Sequence, residues 1–161
     1  EWLVHKKHTV VGASTGEVAG LVAITPASGY VSVAGALAIG ALVSVISFSF
    51  MAFARSRLHY DDALDVFSVH GLGGIWGALA TGIFANPAVN ALGTGLLYGN
   101  PRQLWIQFLS IIGTAAYSGV ATLIVIGITR LVTGGLRIDA ESEIVGLDGA
   151  FHGERGFEIQ G

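Results

Sequence analysis

The sequence predicts an all-α protein, a polytopic bundle of membrane-spanning helices, and three observations support this prediction. Apolar residues make up 52% of the 161 residues and charged residues only 12%, about half of the ~25% usual in globular proteins. Glycine occurs 24 times, about twice its usual share of ~7%. No Asp, Glu, Lys or Arg lies within residues 18–54, 66–101 or 103–129, and a membrane-spanning helix needs ~20 mostly apolar residues.

Residues that favour turns divide these stretches into four predicted helices. One segment precedes the first helix and one follows the last. A turn containing proline and glycine interrupts the first stretch, Asn86-Pro87 ends the third helix, and Gly134-Gly135 ends the fourth. The predicted helices cover residues 9–27, 31–54, 61–85 and 102–133. We expect residues 1–8 to be the cytoplasmic lead-in of a chain truncated upstream, and residues 134–161 to be a soluble C-terminal tail.

The basic residues predict the orientation of the helices in the lipid bilayer. With four spans, seven of the eight Lys and Arg residues fall on the side of the N-terminus, the 55–60 loop and the tail, and only Arg102 falls on the other. Basic residues next to a membrane favour its cytoplasmic side. We therefore expect a multi-pass protein of the plasma or inner membrane with a cytoplasmic C-terminus.

The composition disfavours several other classes of protein. A net charge of -3, with Lys6-Lys7 as the one basic cluster, argues against nucleic-acid binding. The chain has no cysteine, which excludes a disulfide scaffold and a thiolate metal site. We expect neither a metal nor a cofactor.

His70 is the leading candidate for a functional side chain. It lies eight residues after Asp62, a rise of ~12 Å along a helix, and half of the hydrocarbon core is ~15 Å thick. An ionisable residue near the membrane midplane is a functional hypothesis by default. A neutral imidazole offers one donor and one acceptor, which suits a small hydrogen-bonding solute or a proton relay. The alternative is a packing histidine bonded to a carbonyl of a neighbouring helix.

Five further residues are candidates on weaker grounds. Asp61, Asp62 and Asp65 are expected in the first turns of the third helix, where free N–H groups stabilise anions, and Asp65 is also expected to pair with an Arg or with backbone N–H groups. Glu17 faces a water-filled cavity, is protonated inside the membrane, or is interfacial in a helix that begins later. Thr25 precedes Pro26, which leaves nearby carbonyls to a cavity or a side chain.

Glycines spaced four residues apart predict close helix–helix contacts. Gly12, Gly16 and Gly20 share one face of the first helix, and Gly73 and Gly77 share one face of the third. Small residues at this spacing let membrane helices approach closely. We interpret both faces as scaffold.

Three long motifs, in order along the chain, resemble those of the ammonium transporter (Amt/Mep/Rh) family. They are AGLVAITPASGYV at 19–31, DDALDVFSVHGLGG at 61–74 with TGIFA at 81–85, and, in the tail, GGLR at 134–137 followed by GLD at 146–148 and HGE at 152–154. The match is similar to the bacterial and archaeal Amt branch. Ser68 departs from the family's usual glycine at that position.

The resemblance implies a fold and a set of roles. Family members have eleven helices in two inverted halves plus a last helix, and they form homotrimers with one narrow pore per subunit; this chain would correspond to helices eight to eleven. His70 matches the second of two hydrogen-bonded pore histidines. The implied pore or substrate residues are His70, Thr25, Val66 and Phe67, and the implied structural or gating residues are Asp62, Asp65 and Asp61. The implied regulatory tail comprises Gly146, Leu147, Asp148, His152, Gly153 and Glu154, which would meet a PII-family nitrogen-signalling protein.

The function implied is transport of ammonium or ammonia, with methylammonium as an analogue, through an apolar pore with a histidine relay. The alternative is an Amt-like ammonium sensor, for which an attached signalling domain would be the discriminator. An intramembrane enzyme using His70 with Asp65 is disfavoured, because residues five apart point ~140° away from each other on an α-helix. We therefore expect no enzymatic activity.

Overall fold

The computed structural model describes residues 6–7, 9–58, 62 and 64–154. Within these residues every regular element is helical and none is a strand, as the sequence predicts. Four helical segments are long and apolar enough to cross a membrane. They are Val10–Ala27, Val33–Leu58, Phe67–Phe84 and Pro101–Thr133.

The first helix, α1, covers Val10–Ile24 and continues as a 3-10 turn over Thr25–Ala27. The Thr9 hydroxyl accepts a hydrogen bond of 2.9 Å from the Gly12 N–H, which satisfies one of the N–H groups left unpaired at a helix start. Because Pro26 has no N–H to donate, the α-helical pattern ends here. The observed helix agrees with the predicted 9–27 within the usual uncertainty of helix ends.

The second helix, α2, covers Val33–Phe53 and continues as a π-helical turn over Ala54–Leu58. The Ser32 hydroxyl caps it by accepting from the Gly35 N–H at 3.3 Å. The helical conformation thus extends four residues beyond the predicted end at 54, and it carries Arg55 and Arg57 on its last turn.

The third span begins later than predicted. A π-helical turn over Phe67–Gly71 leads into the helix α3, Leu72–Phe84, whereas the sequence predicted a start at 61. Asp65 has a φ of +53°, a left-handed conformation that cannot form part of a right-handed helix. Asp62 and Asp65 therefore precede the helix and do not lie in its first turns. Asp61 lies outside the described residues.

The segment between α3 and the next helix, α4 (Pro101–Thr133), is held by main-chain hydrogen bonds. The Asn86 N–H donates to the Tyr30 carbonyl at 2.8 Å, and the Gly95 N–H donates to the Ala85 carbonyl at 2.8 Å. A Cβ at Gly95 would lie 2.6 Å from the Ile83 carbonyl oxygen, so a glycine is needed at this close approach. A short 3-10 turn, Leu96–Tyr98, follows.

The core lies between α1, α2 and α3. Small and branched apolar side chains form one buried cluster: Ala19, Ala23, Ala27, Ile39, Val43, Val69 and Ala80. The Trp76 indole N–H donates to the Ile39 carbonyl at 3.1 Å and so ties α3 to α2. A Cβ at Gly77 would lie only 2.2 Å from the Ala23 carbonyl oxygen, which confirms the predicted close contact at this glycine. In contrast, Gly16 and Gly20 have no atom of the described chain within 4 Å of such a Cβ.

The chain divides into two compact units, Glu1–Thr114 and Ala115–Gly161. The first contains α1 to α3 and the start of the helix α4, Pro101–Thr133. The second contains the rest of α4, the short helix α5 over Ala140–Val145, and a π-helical turn over Asp148–His152. No described residue of α4 is buried.

Candidate functional site: a histidine-lined cavity at the start of the third span

His70 lies in the π-helical turn that opens the third span. In this turn the Leu72 N–H donates to the Phe67 carbonyl, a hydrogen bond between residues five apart, as is typical of a π turn. Such turns are rare and occur frequently at functional sites, because the wider turn redirects side chains relative to an α-helix. His70, the residue singled out from the sequence, lies within this turn.

The His70 side chain is exposed on a cavity of about 350 Å³. The opposite wall is α1, and the lining is mostly apolar: Val10, Val11, Ser14, Thr15, Val18, Leu64 and Val69. No hydrogen bond joins the imidazole to another described residue, so the carbonyl partner that a packing histidine requires is not found within that part of the chain. A small solute in this cavity would meet one imidazole in otherwise apolar surroundings.

The other three residues implied as pore residues do not line the His70 cavity. The Phe67 ring turns towards α2, with its centroid 5.7 Å from that of Phe50, and it covers Gly71, where a Cβ would lie 2.7 Å from the ring. The Val66 side chain is half-exposed. The Thr25 hydroxyl donates to the Leu21 carbonyl of its own helix at 2.7 Å.

Asp62 and Asp65 have different partners. One oxygen of Asp62 accepts from the Val66 N–H at 2.9 Å, and the other accepts from the Phe67 N–H at 2.8 Å. Asp62 therefore caps the third span from four and five residues upstream. Asp65 instead forms an ion pair with Arg55, which confirms the expected arginine partner.

The sequence interpretation did not identify which arginine this would be. Arg55 lies ten residues before Asp65, at the end of α2. The signal available in the sequence was that the first two basic residues after the charge-free stretch 18–54 are Arg55 and Arg57. Only the folded chain shows that the first of them reaches Asp65.

Glu17 lies on the second turn of α1, and its side chain is exposed. Because α1 begins at Val10, the interpretation that the helix starts later is wrong. The two remaining interpretations, a residue facing water and a protonated residue, stay open.

A second cavity, of about 450 Å³, lies between α1 and α2 and reaches Arg55 and Asp65. Several hydroxyl-bearing side chains line it: Thr9, Thr15, Ser44, Ser47 and Ser49. Ser47 is only 3% exposed, and its hydroxyl has no hydrogen-bond partner within the described chain. The sequence interpretation missed this residue, because one serine in an apolar helix gives no signal.

The residues of the predicted regulatory tail lie in and around the last π-helical turn. The side chains of Leu147, Asp148, His152 and Glu154 are exposed, and the Glu154 N–H donates to the Asp148 carbonyl at 2.9 Å. Gly146 and Gly153 have φ values of +92° and +65°, a region that glycine adopts without strain. Their glycine identity is therefore explained by backbone conformation.

Helix α5, which precedes this turn, is held by two polar contacts. The Asp139 carboxylate accepts from the Ser142 N–H at 2.8 Å, and hydrogen bonds from Ser142 hold the pKa of Asp139 below its ordinary 3.8. Arg137 also pairs with Glu143 at 2.6 Å.

Comparison with known proteins identifies the family. The sequence model of the Ammonium Transporter Family matches residues 1–157. An ammonium transporter of Aquifex aeolicus is 48% identical over 99% of this chain and 37% of its own length. An ammonium transporter of Bacillus subtilis is 41% identical over 98% of this chain and 39% of its own length.

Solved structures agree with the sequence matches. The crystal structure of Saccharomyces cerevisiae Mep2 superposes with a TM-score of 0.76 at 33% identity, over 87% of this chain and 32% of that one. A sensor Amt protein superposes with a TM-score of 0.77 at 30% identity, over 93% of this chain and 36% of that one. The chain thus spans less than two fifths of these relatives' length. It belongs to the ammonium transporter family.

Proposed function

We propose that this chain is part of a transporter that moves ammonium or ammonia through a narrow apolar pore, with His70 as a pore histidine. One observation carries the proposal. The imidazole is exposed on a mostly apolar cavity between the third span and α1, without a protein hydrogen-bond partner among the described residues. The family membership adds that relatives of this chain are named ammonium transporters.

The physical chemistry of the solute explains why such a site is useful. An ammonium ion that enters an apolar pore loses its hydration, which is expensive, whereas neutral ammonia loses far less. A neutral imidazole both donates and accepts hydrogen bonds, and it exchanges a proton near neutral pH. His70 therefore binds the neutral solute and relays the proton that ammonium leaves behind.

Replacement of His70 in the full-length parent tests this role. We expect His70→Ala to lower the uptake of labelled methylammonium about 100-fold, the lower end of what a positioned acid or base contributes. His70→Gln retains a donor and an acceptor but cannot relay a proton, so it should restore binding without restoring the rate. Tyr117→Phe, which removes one exposed hydroxyl from α4, is the control.

The result that would refute this role is specific. If His70→Ala leaves methylammonium uptake unchanged at an equal amount of protein in the membrane, then His70 is a packing residue. We also expect the 161 residues alone not to conduct, because the first of the two pore histidines implied by the family lies outside them. Methylammonium uptake by liposomes that contain only this chain would contradict that expectation.

A second candidate function is ammonium sensing, which the likeness to a sensor Amt protein favours. A sensor binds its ligand without moving it. Methylammonium binding by the full-length parent, measured by calorimetry, without uptake into liposomes would select this function. Saturable uptake would select transport.

We further propose that the parent is a homotrimer in the cell membrane, with a cytoplasmic tail that binds a PII-family signalling protein. The exposed tail residues and the bias of basic residues towards one side support this orientation. The chain has no cysteine, so Ile144→Cys in a cysteine-free parent gives one labelling site in the tail. Labelling by a membrane-impermeant maleimide only after the membrane is opened supports a cytoplasmic tail, and labelling of intact cells contradicts it.

A further inference from the structure

We propose that Arg55 is a positioning residue for His70. Its ion pair with Asp65 holds the start of the third span against the end of α2, and so fixes where the imidazole enters its cavity. The inference goes beyond the proposed function and rests on it in one respect, since the effect on transport requires that His70 contribute to transport.

The backbone at Asp65 has an unusual conformation. A φ of +53° is uncommon for any residue other than glycine, and such a conformation persists only where its surroundings hold it. The Asp65 N–H donates to the Asp62 carbonyl at 3.1 Å, and the Asp65 carbonyl accepts from the Val69 N–H at 3.0 Å. Asp65 is thus the residue at which the chain turns into the helix that carries His70.

The side chain of Asp65 makes the contact that holds this backbone conformation in place. Its carboxylate is only 16% exposed, and a partly buried charge needs a partner. Arg55 provides a charge that is always present, from a π-helical turn that is anchored by the buried Ala54. Asp62 has a different role, because its two oxygens accept the N–H groups of Val66 and Phe67.

The distance from Asp65 to His70 is short enough for this hold to matter. Only four residues lie between them, and one of these, Phe67, packs against Phe50 of α2. The start of the third span is therefore held to the second span by the Arg55–Asp65 ion pair and by the Phe67 ring. With 64% of the Arg55 side chain exposed, the pair by itself adds little to stability. Its effect is on the position of the turn that carries the imidazole.

The test uses variants of the full-length parent at matched amounts in the membrane. Arg55→Met removes the charge and keeps the length, Arg55→Lys keeps the charge, and Arg57→Met is the matched control on the same turn. We expect Arg55→Met to lower methylammonium uptake about 10-fold, since a misplacement of ~1 Å at a reacting group can cost on the order of 100-fold. Arg55→Lys should recover most of that loss, and Arg57→Met should not lower uptake.

A second measurement follows the imidazole independently of transport. Diethylpyrocarbonate modifies accessible histidines, and mass spectrometry gives the rate at each site, so His152 in the tail serves as an internal reference. We expect Arg55→Met to change the modification rate of His70 relative to that of His152, and Arg57→Met to leave the ratio unchanged.

A variant of Asp65 distinguishes the effect of the ion pair from that of the backbone conformation. Asp65→Gly relieves the strain at positive φ but removes the pair, so the proposal expects it to behave like Arg55→Met in both measurements. Wild-type uptake and a wild-type His70 rate in Arg55→Met, or equal losses in Arg57→Met, would overturn the proposal. If instead His70→Ala leaves uptake unchanged, the proposed function fails, and the modification rates still decide whether Arg55 positions His70.

Discussion

A close approach between two spans gives a sharp test of the fold. At Gly77, in the middle of α3, an added Cβ would lie 2.2 Å from the carbonyl oxygen of Ala23 and 3.0 Å from its carbonyl carbon. Ordinary contact begins at 3.4 Å, so α1 and α3 would have to separate by about 1.2 Å, the difference between 3.4 and 2.2. Both partners are main chain within helices, so no side-chain rotation relieves the clash.

The magnitude follows from this geometry. Overpacking of a well-packed core costs about 1–3 kcal/mol and occasionally more, and a contact between two helix backbones belongs at the upper end of that range. The matched control is Gly74→Ala, one turn earlier on the same helix, where an added Cβ has no atom within 4 Å. There the gain from replacing a helical glycine is roughly 0.5–1 kcal/mol. The two variants should therefore change stability in opposite directions.

The assay is the thermal midpoint of the full-length parent in detergent, read as the loss of the monodisperse peak in size-exclusion chromatography after heating. We expect Gly77→Ala to lower the midpoint and the amount of protein in the membrane, and Gly74→Ala to leave both unchanged or higher. Equal midpoints for the two variants would refute the close approach of α1 to α3.

Three smaller predictions concern single polar contacts. Asp62→Ala removes the acceptors from two N–H groups at the start of the third span and should cost ~1 kcal/mol, measured as a lower thermal midpoint, while Asp62→Asn keeps one acceptor oxygen and should recover part of that loss. Trp76→Phe removes the indole donor from the Ile39 carbonyl, which keeps the hydrogen bond of its own helix, and should cost about 0.5–1.5 kcal/mol; an unchanged midpoint would contradict the indole hydrogen bond. Because hydrogen bonds from Ser142 lower the pKa of Asp139 below 3.8, the cap of α5 should be intact above about pH 4 and lost as the pH falls through the lowered pKa. NMR of the Ser142 amide should show a transition below pH 3.8, and a midpoint at or above that value would count against the cap.

The boundaries of the spans were predictable from the sequence wherever a residue near the boundary signals a helix start or end. Thr9 and Ser32 cap α1 and α2, and Pro26 ends the α-helical part of the first span. Each signal acts within a few residues of the boundary that it sets. Such boundaries can therefore be predicted from the sequence alone.

The start of the third span was not predictable in this way. The acidic residues before it indicated a capped helix, and Asp62 does cap one, but the helix begins five residues further on. The reason is the positive φ of Asp65, which is accompanied by an ion pair to a residue of another span. A contact between residues that belong to different helices gives no periodic or local signal.

The site shows the same division. His70 was predictable because an ionisable residue in a charge-free stretch is conspicuous, and the structure does expose it on a cavity. The orientation of Phe67 was not predictable, because it follows from a π-helical turn and from the ring of Phe50. A motif shows which residues lie close together in the sequence. The geometry of the turn determines which of their side chains face the same cavity.

The glycines of this chain differ in how much space surrounds them. Some glycines have open space around them, such as Gly16 and Gly20 on α1. Those that leave no room for a side chain include Gly77 and Gly82, where an added Cβ would lie 2.2 Å from the Ala23 carbonyl oxygen and 2.8 Å from the Leu104 Cα. Both lie on α3, so the helix that follows His70 is held closely at its far half.

The near end of this span is held by a different kind of contact, the Arg55–Asp65 ion pair. Main-chain contacts at glycines are short and cannot adjust, whereas an ion pair between two side chains can break and re-form. Removal of the pair should therefore move the π-helical turn with His70 and leave the far half of α3 in place. This asymmetry is why we expect Arg55→Met to fold and to transport more slowly, and Gly77→Ala to lose stability.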